Sequence, residues 1–392
     1  MPILDTRALN RATLARQYLL DRADTPVRDA VAHLCGMQAQ QPQEPFIGLW
    51  SRLRAFEPNA LDELLTGRQV VRTHLMRRTV HLVTADDALA WRARHDSMLR
   101  QRVLATYRRE LAGIDLDEVA AAGRTVMADH RPRTMAELVR ALQDRWPTPP
   151  RRALGELLVA ALIPMVQLPP RGLWHTRAGV RNLPLAIWLG RDIDPPSADG
   201  TDPADGTDAT DGTDPADGTD ATDGTDATDG TGQQLVRRYL AVHGPAATAD
   251  IRAWCGLAGL PAAVRAVREE LVTFRDERGR ELLDLPDAPR PHPDTPAPVR
   301  FLPAFDNVIL GYHDRGRIID DAHLGLSVAG LRAVLVDGRV SATWTVRDSR
   351  LVITPLRSLS TTEQEAVHAE GQALATFLDE DIDHVHITAA DG

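Results

Sequence analysis

The chain contains no lysine; all 45 of its basic side chains are arginine. A GC-rich genome is a sufficient cause, but the chemical consequence holds regardless. With no side-chain ε-amine there is no lysine Schiff base, so lysine-dependent catalysis is excluded. Cysteine is nearly as scarce. Cys35 and Cys255 fit a reducing compartment and support neither a disulfide framework nor a cysteine metal or iron–sulfur site. The 13 histidines are scattered, and no pair has ligand spacing with a nearby cysteine or carboxylate partner, so no metal and no cofactor is expected. A glycine-rich phosphate loop and a Gly-x-Ser-x-Gly elbow are also missing. The longest apolar run, Leu154–Leu168, is broken by Glu156 and Pro164, so nothing in it spans a membrane. Met1-Pro2-Ile3-Leu4-Asp5 starts no signal peptide, and a cytoplasmic protein is expected.

At 392 residues the chain has room for two or three domains with real cores. Its net charge of −10 comes from one segment: 194–232 holds 12 aspartates and no basic residue, leaving +2 on the remainder. An aspartate recurs at every third position from Asp199 to Asp229, in Asp-Gly-Thr, Asp-Ala-Thr and Asp-Pro-Ala triplets. No large apolar side chain is present to offset the ordering entropy, so the segment reads as a disordered acidic linker. Calcium-binding repeats use six- or nine-residue periods with apolar positions, which this segment lacks.

Helical spacing covers Arg7–Leu20, then Pro26–Leu34 behind a Thr25 cap, Phe46–Leu53, and Ala60–Leu65 behind Asn59. Two alternating strands follow, Val70–Leu75 and Thr79–Thr84, about the turn Met76-Arg77-Arg78. Helices followed by a hairpin describe a winged helix-turn-helix. Asp86–Arg109 reads as one long arginine-rich helix. The same grammar recurs in Leu116–Asp129, a helix opened by the capping box Thr134–Glu137, and Arg151–Leu162. There Met165–Leu168 and Leu173–Thr176 would be the wing. A third copy has helices at Gln233–Val242, Ala249–Trp254 and Ala262–Glu270, with a hairpin of Val272–Arg275 and Glu281–Asp284. Beyond a proline-rich connector come strands at Phe301–Tyr312, Leu331–Val336, Val340–Thr345 and Leu351–Thr354. Asp337-Gly338 is a hairpin turn, and Thr361-Thr362-Glu363-Gln364 opens a last helix to about Leu378. The expected fold class is α+β: three tandem winged helix-turn-helix units followed by a small C-terminal β-barrel with a closing helix. The boundaries are 1–113, 114–193, the linker 194–232, 233–290 and 299–392.

The chemistry-bearing stretch is Cys35–Phe46, with Gln38, Gln40, Gln41, Gln43 and Glu44 between two apolar helical segments. A glutamine amide carries two donors and a carbonyl acceptor, and buried copies need partners. Gln38 and Gln40 are two apart, so on an extended backbone they point the same way. Composition alone equally describes a solvated loop. In the first wing Arg72, Arg77 and Arg78 with His74 and His81 put positive charge at a loop tip, suited to a DNA backbone. A winged helix also serves protein contacts.

Met37-Gln38-Ala39-Gln40, Arg72 through Val83, Gly244-Pro245 through Trp254 and Leu302-Pro303-Ala304-Phe305-Asp306 together resemble the AlkZ/YcaQ family of winged-helix DNA glycosylases. The Gln-apolar-Gln form resembles its AlkZ branch. The acidic repeat is not part of that pattern. The resemblance implies a monofunctional glycosylase that hydrolyses the N-glycosidic bond of bulky N7-alkylated purines and unhooks interstrand crosslinks. It implies Gln38 and Gln40 as catalytic residues and Glu44 as a secondary candidate. The implied partner is double-stranded alkylated DNA, with a monomer in the nucleoid-associated cytoplasm. The alternative from another class is a non-catalytic winged-helix DNA-binding or regulatory protein. Without lysine, a strand-cleaving step would need the amine of Pro2 after loss of Met1.

Overall fold

The computed structural model describes residues 1–194, 230–378, 382 and 384–389. The acidic linker reading therefore falls, for 195–229, outside the described residues. Strands β1 (Ile3–Leu4), β2 (Met37–Gln38), β3 (Val70–His74), β4 (Val80–Thr84), β5 (Met165–Gln167) and β6 (Asn182–Pro184) precede that segment. After it come β7 (Val272–Asp276), β8 (Glu281–Asp284), β9 (Arg300–Phe301), β10 (Arg332–Val336), β11 (Arg339–Arg347), β12 (Arg350–Pro355) and β13 (His384–Ile387). They form a mixed α+β fold of three sheets, in the orders β2, β4, β3, β5, β6, then β1, β7, β8, and β13, β12, β11, β10, β9.

Local signals set many of the elements. Thr134 and Glu137 close a capping box on helix Met135–Leu142. Asp337 and Gly338, both at positive φ, turn β10 into β11. The closing helix runs Thr361–Leu378. It lies on the curled C-terminal sheet, where a Cβ at Gly371 would stand 3.1 Å from Val385 and 3.4 Å from both Leu351 and Phe301. Those neighbours come from β13, β12 and β9, so the helix bridges the two edges of the curl.

The segment expected to form a second winged unit departs from that pattern. Leu173–Thr176 forms turns, not a strand; the partner of β5 is β6. Trp174 explains it. Its ring packs 4.8 Å from Phe46 and 5.1 Å from Phe377, and its backbone N–H donates to Asp62, which ties this segment to other layers. Moreover β5 pairs with β3 at Thr73 and Val166, so the first two units share one sheet. The long helix expected over Asp86–Arg109 breaks at a 3-10 turn, Ala93–His95. Of Phe301–Tyr312 only the first residue is strand, because Pro303 interrupts the ladder and Asp306 caps the short helix Asn307–Leu310.

Candidate active site

Helix Val27–His33 ends in two left-handed residues, Cys35 at φ 55° and Gly36 at φ 84°. A Cβ on Gly36 would meet Val83 Cγ1 at 2.5 Å, so glycine is required for the close approach. The turn lays β2 against β4, with Gln38 opposite His81. One residue later Ala39 N–H donates to the Val80 carbonyl at 2.7 Å. The return bond is not made by backbone. Val80 N–H donates to Gln40 Oε1 at 3.2 Å, while the Ala39 carbonyl accepts from Arg72 Nη2 at 2.8 Å. The side chain of Gln40 thus ends the ladder.

Gln38 and Gln40 consequently have different surroundings. Gln40 is exposed. Gln38 is buried, 8% exposed, and lines a cavity with Gly36, Glu44, Phe305, Asp306 and Asn307. Arg77 Nη2 forks between Gln38 Oε1 at 3.1 Å and Asn307 Oδ1 at 3.0 Å, and its Nη1 donates to the Trp254 carbonyl at 3.2 Å. Asn307 Nδ2 completes the ring by donating to the Gly36 carbonyl at 3.2 Å. Burial, with Arg315 and Arg102 nearby, pushes Arg77 down to about 10, so it remains a cation at neutral pH. About 20 Å³ of free volume gives the cavity room for a water.

The segment 303–307 is fixed from both sides. Asp306 and Arg52 form a buried bidentate pair at 2.7 and 2.9 Å. Glu44, 1% exposed, accepts the Ala304 N–H at 2.6 Å and pairs with Arg332 at 2.6 Å. Both carboxylate oxygens of Glu44 are thus engaged in holding this segment. Phe305 has φ 61°, a strained setting for a bulky residue.

The basic wing does not project as a loop tip. Arg72 is 1% exposed and braces Ala39; burial and the Arg171 charge push it down to about 9. His81 is 0% exposed, with Nδ1 against the Thr79 carbonyl at 3.0 Å. Arg77 turns into the cavity, and half-buried Arg78 donates to Thr106 Oγ1 at 3.0 Å and the Arg102 carbonyl at 3.3 Å. Sequence reasoning brought Gln38, Arg77 and Asp306 into view but missed Asn307 and Arg52. Asn307 directly follows the Leu302–Asp306 motif, which is the one available signal.

The buried histidines predict a pH dependence. Burial first, then the Arg92 and Arg78 charges, holds His74 down to about 4, and burial likewise holds His95 down to about 4. Both are neutral when folded, whereas in the unfolded chain they titrate near 6.5. Between those values the unfolded state binds more protons, so stability falls as pH drops from about 6.5 to 4. The expected slope is about 1.4 kcal/mol per pH unit for each histidine. Urea melts at pH 7, 6 and 5 measure it; a flat profile would contradict the burial.

A buried amide, a guanidinium and a water-sized cavity, with no group of three or more His, Cys, Asp or Glu able to hold a metal among the described residues, define a polar site without ion ligands. No described helix is long and apolar enough to cross a membrane. The fold is similar to the Streptomyces sahachiroi DNA glycosylase AlkZ, with a TM-score of 0.70 at 20% identity, covering 98% of this chain and 100% of that one. No curated protein matches the chain in sequence. Residues 31–377 match the model of the DNA glycosylase AlkZ-like family, and the chain belongs to that family of enzymes acting on DNA.

Proposed function

We propose that this protein is a monofunctional glycosylase that hydrolyses the N-glycosidic bond of bulky N7-alkylated purines in duplex DNA, crosslinked purines included. The carrying observation is the amide of Gln38, held at a water-sized cavity by an arginine it shares with Asn307. An N7-alkylated purine is cationic and leaves readily, so the site needs no strong acid. It must place a water and tolerate positive charge at the sugar. The second lone pair of Gln38 Oε1 orients that water toward the anomeric carbon, an electrostatic and positioning role. Near a developing cation Arg77 alone would be unfavourable. Its charge, however, is already met by three carbonyl dipoles, and the flanking phosphates supply counterions. Gln40 keeps its amide NH₂ for the substrate on the open side.

In this reading the helices derive from three winged units, with β7 and β8 as the hairpin of the third, and the chain clasps DNA as a nucleoid-associated monomer. Among the DNA-facing candidates, half-buried Arg78 remains nearest the surface and His74 is largely withdrawn from solvent, while Arg72 and His81 act by supporting Gln38 and Ala39. Incubation with an N7-methylguanine duplex is expected to yield strand breaks at the lesion only after alkali. Breaks without alkali would contradict the monofunctional assignment, and none with alkali would sink the enzyme reading in favour of a DNA-binding protein.

A further inference from the structure

Few large apolar side chains are exposed among the described residues: Met1 and Ile3 at the start of the chain, and Val328 and Leu331 at 70% and 45%. The last two share one tip. Helix Leu324–Val328 ends with Gly330 at φ 73°, and the Leu331 N–H closes back on the Leu326 carbonyl at 3.1 Å. In such a helix ending the residue after the glycine ordinarily packs back on the last turn. Here Leu331 stays largely in solvent, and Val328 beside it more so.

The tip is seated on the active site. A Cβ at Gly330 would stand 2.4 Å from the Phe305 ring, so the ring lies directly on the glycine backbone. Phe305 is the strained residue on the wall of the Gln38 cavity. Arg315 fixes the helix through Ser327 Oγ at 3.1 Å and otherwise bonds the neutral Tyr312 carbonyl, so it keeps positive charge at the base of the tip. Arg332, next in the chain, is locked to Glu44, which holds Ala304. Exposed aliphatic groups seated on the wall of a DNA-processing cavity, with Arg315 at their base, match what is needed to part stacked bases.

We propose that Val328 and Leu331 form a wedge that enters the base stack of duplex DNA beside the nucleotide whose sugar is presented to Gln38. As the lesion leaves the stack toward Gln38, the wedge fills the space it vacates. The proposal rests on the glycosylase reading for its substrate, but its test separates the two. A duplex with a tetrahydrofuran abasic analogue and 2-aminopurine opposite it reads unstacking without any base release. Wild type is expected to raise the fluorescence severalfold, and Val328→Ala/Leu331→Ala to lose most of that rise. On an N7-methylguanine duplex the double variant should release base about tenfold more slowly, with the deficit shrinking when the lesion lies in a mismatch that is already poorly stacked. Both positions are exposed, so an unchanged melting temperature checks the fold. Unstacking and release equal to wild type in the double variant would overturn the wedge and leave the glycosylase standing. Unstacking by a wild type that releases no base would refute the glycosylase and support the wedge.

Discussion

Gln38→Ala is expected to slow single-turnover base release from an N7-methylguanine duplex by about 10²–10³-fold, the usual cost of removing one preorganised polar group from a reacting centre. Duplex affinity should hardly change, because Gln38 is buried and phosphate contacts dominate binding. Exposed Gln40 provides the contrast. Its carbonyl caps the Val80 N–H, so Gln40→Ala removes a strand-ending bond and a substrate contact, with a smaller rate loss and a measurable loss of affinity. Gln38→Glu is the sharper probe. A carboxylate there would pair with Arg77, place negative charge beside the sugar and be able to accept a proton from water. Retained activity in Gln38→Glu with lost activity in Gln38→Ala would support the water-orienting role. Full activity in Gln38→Ala would move the chemistry elsewhere, with Asn307 the first group to examine, since it shares the same arginine nitrogen.

Where a signal was local the sequence carried it. The Thr134–Glu137 capping box, the Asp337-Gly338 turn and the amphipathic closing helix each depend on neighbours within a few positions. The caps expected at Thr25 and Asn59, in contrast, are not made, since their helices start behind Pro26 and Glu57 without a side-chain cap bond. Pairing of β5 with β3 joins Thr73 to Val166, and no local pattern specifies such a register. That single pairing fuses two expected units into one sheet. The same limit applies at the site. Gln38 stood out because glutamines cluster around it, and Arg77 because it sits in a turn. Asn307 joins them through its bonds with Gly36 and Arg77, 271 and 230 positions away in sequence. The burial of Arg72 and His81 was illegible for another reason. Arginine in a hairpin normally projects to solvent, whereas here Arg171 and Gly172 lie against the Arg72 side chain, and helices Asp96–Thr106 and Thr248–Cys255 pack over the turn Met76–Arg78.

The largest effect on stability is expected at the pair that holds segment 303–307. Arg52 and Asp306 are both nearly inaccessible, with side chains 2% and 3% exposed. Asp306→Ala leaves a guanidinium buried among the Gly48 carbonyl and Gln17 and removes the cap on Val308 N–H. Stranding one buried charge costs about 3–5 kcal/mol. Urea melts should show that loss, and base release should fall with it because Phe305 and Asn307 flank Asp306. Arg52→Met strands the opposite charge and should cost a similar amount. The double variant Arg52→Met/Asp306→Ala buries neither charge and should be more stable than either single variant, giving a coupling of on the order of 2–3 kcal/mol. Additive losses instead would mean that the two side chains act through packing alone, and that the pair is not what anchors the segment beneath Gln38.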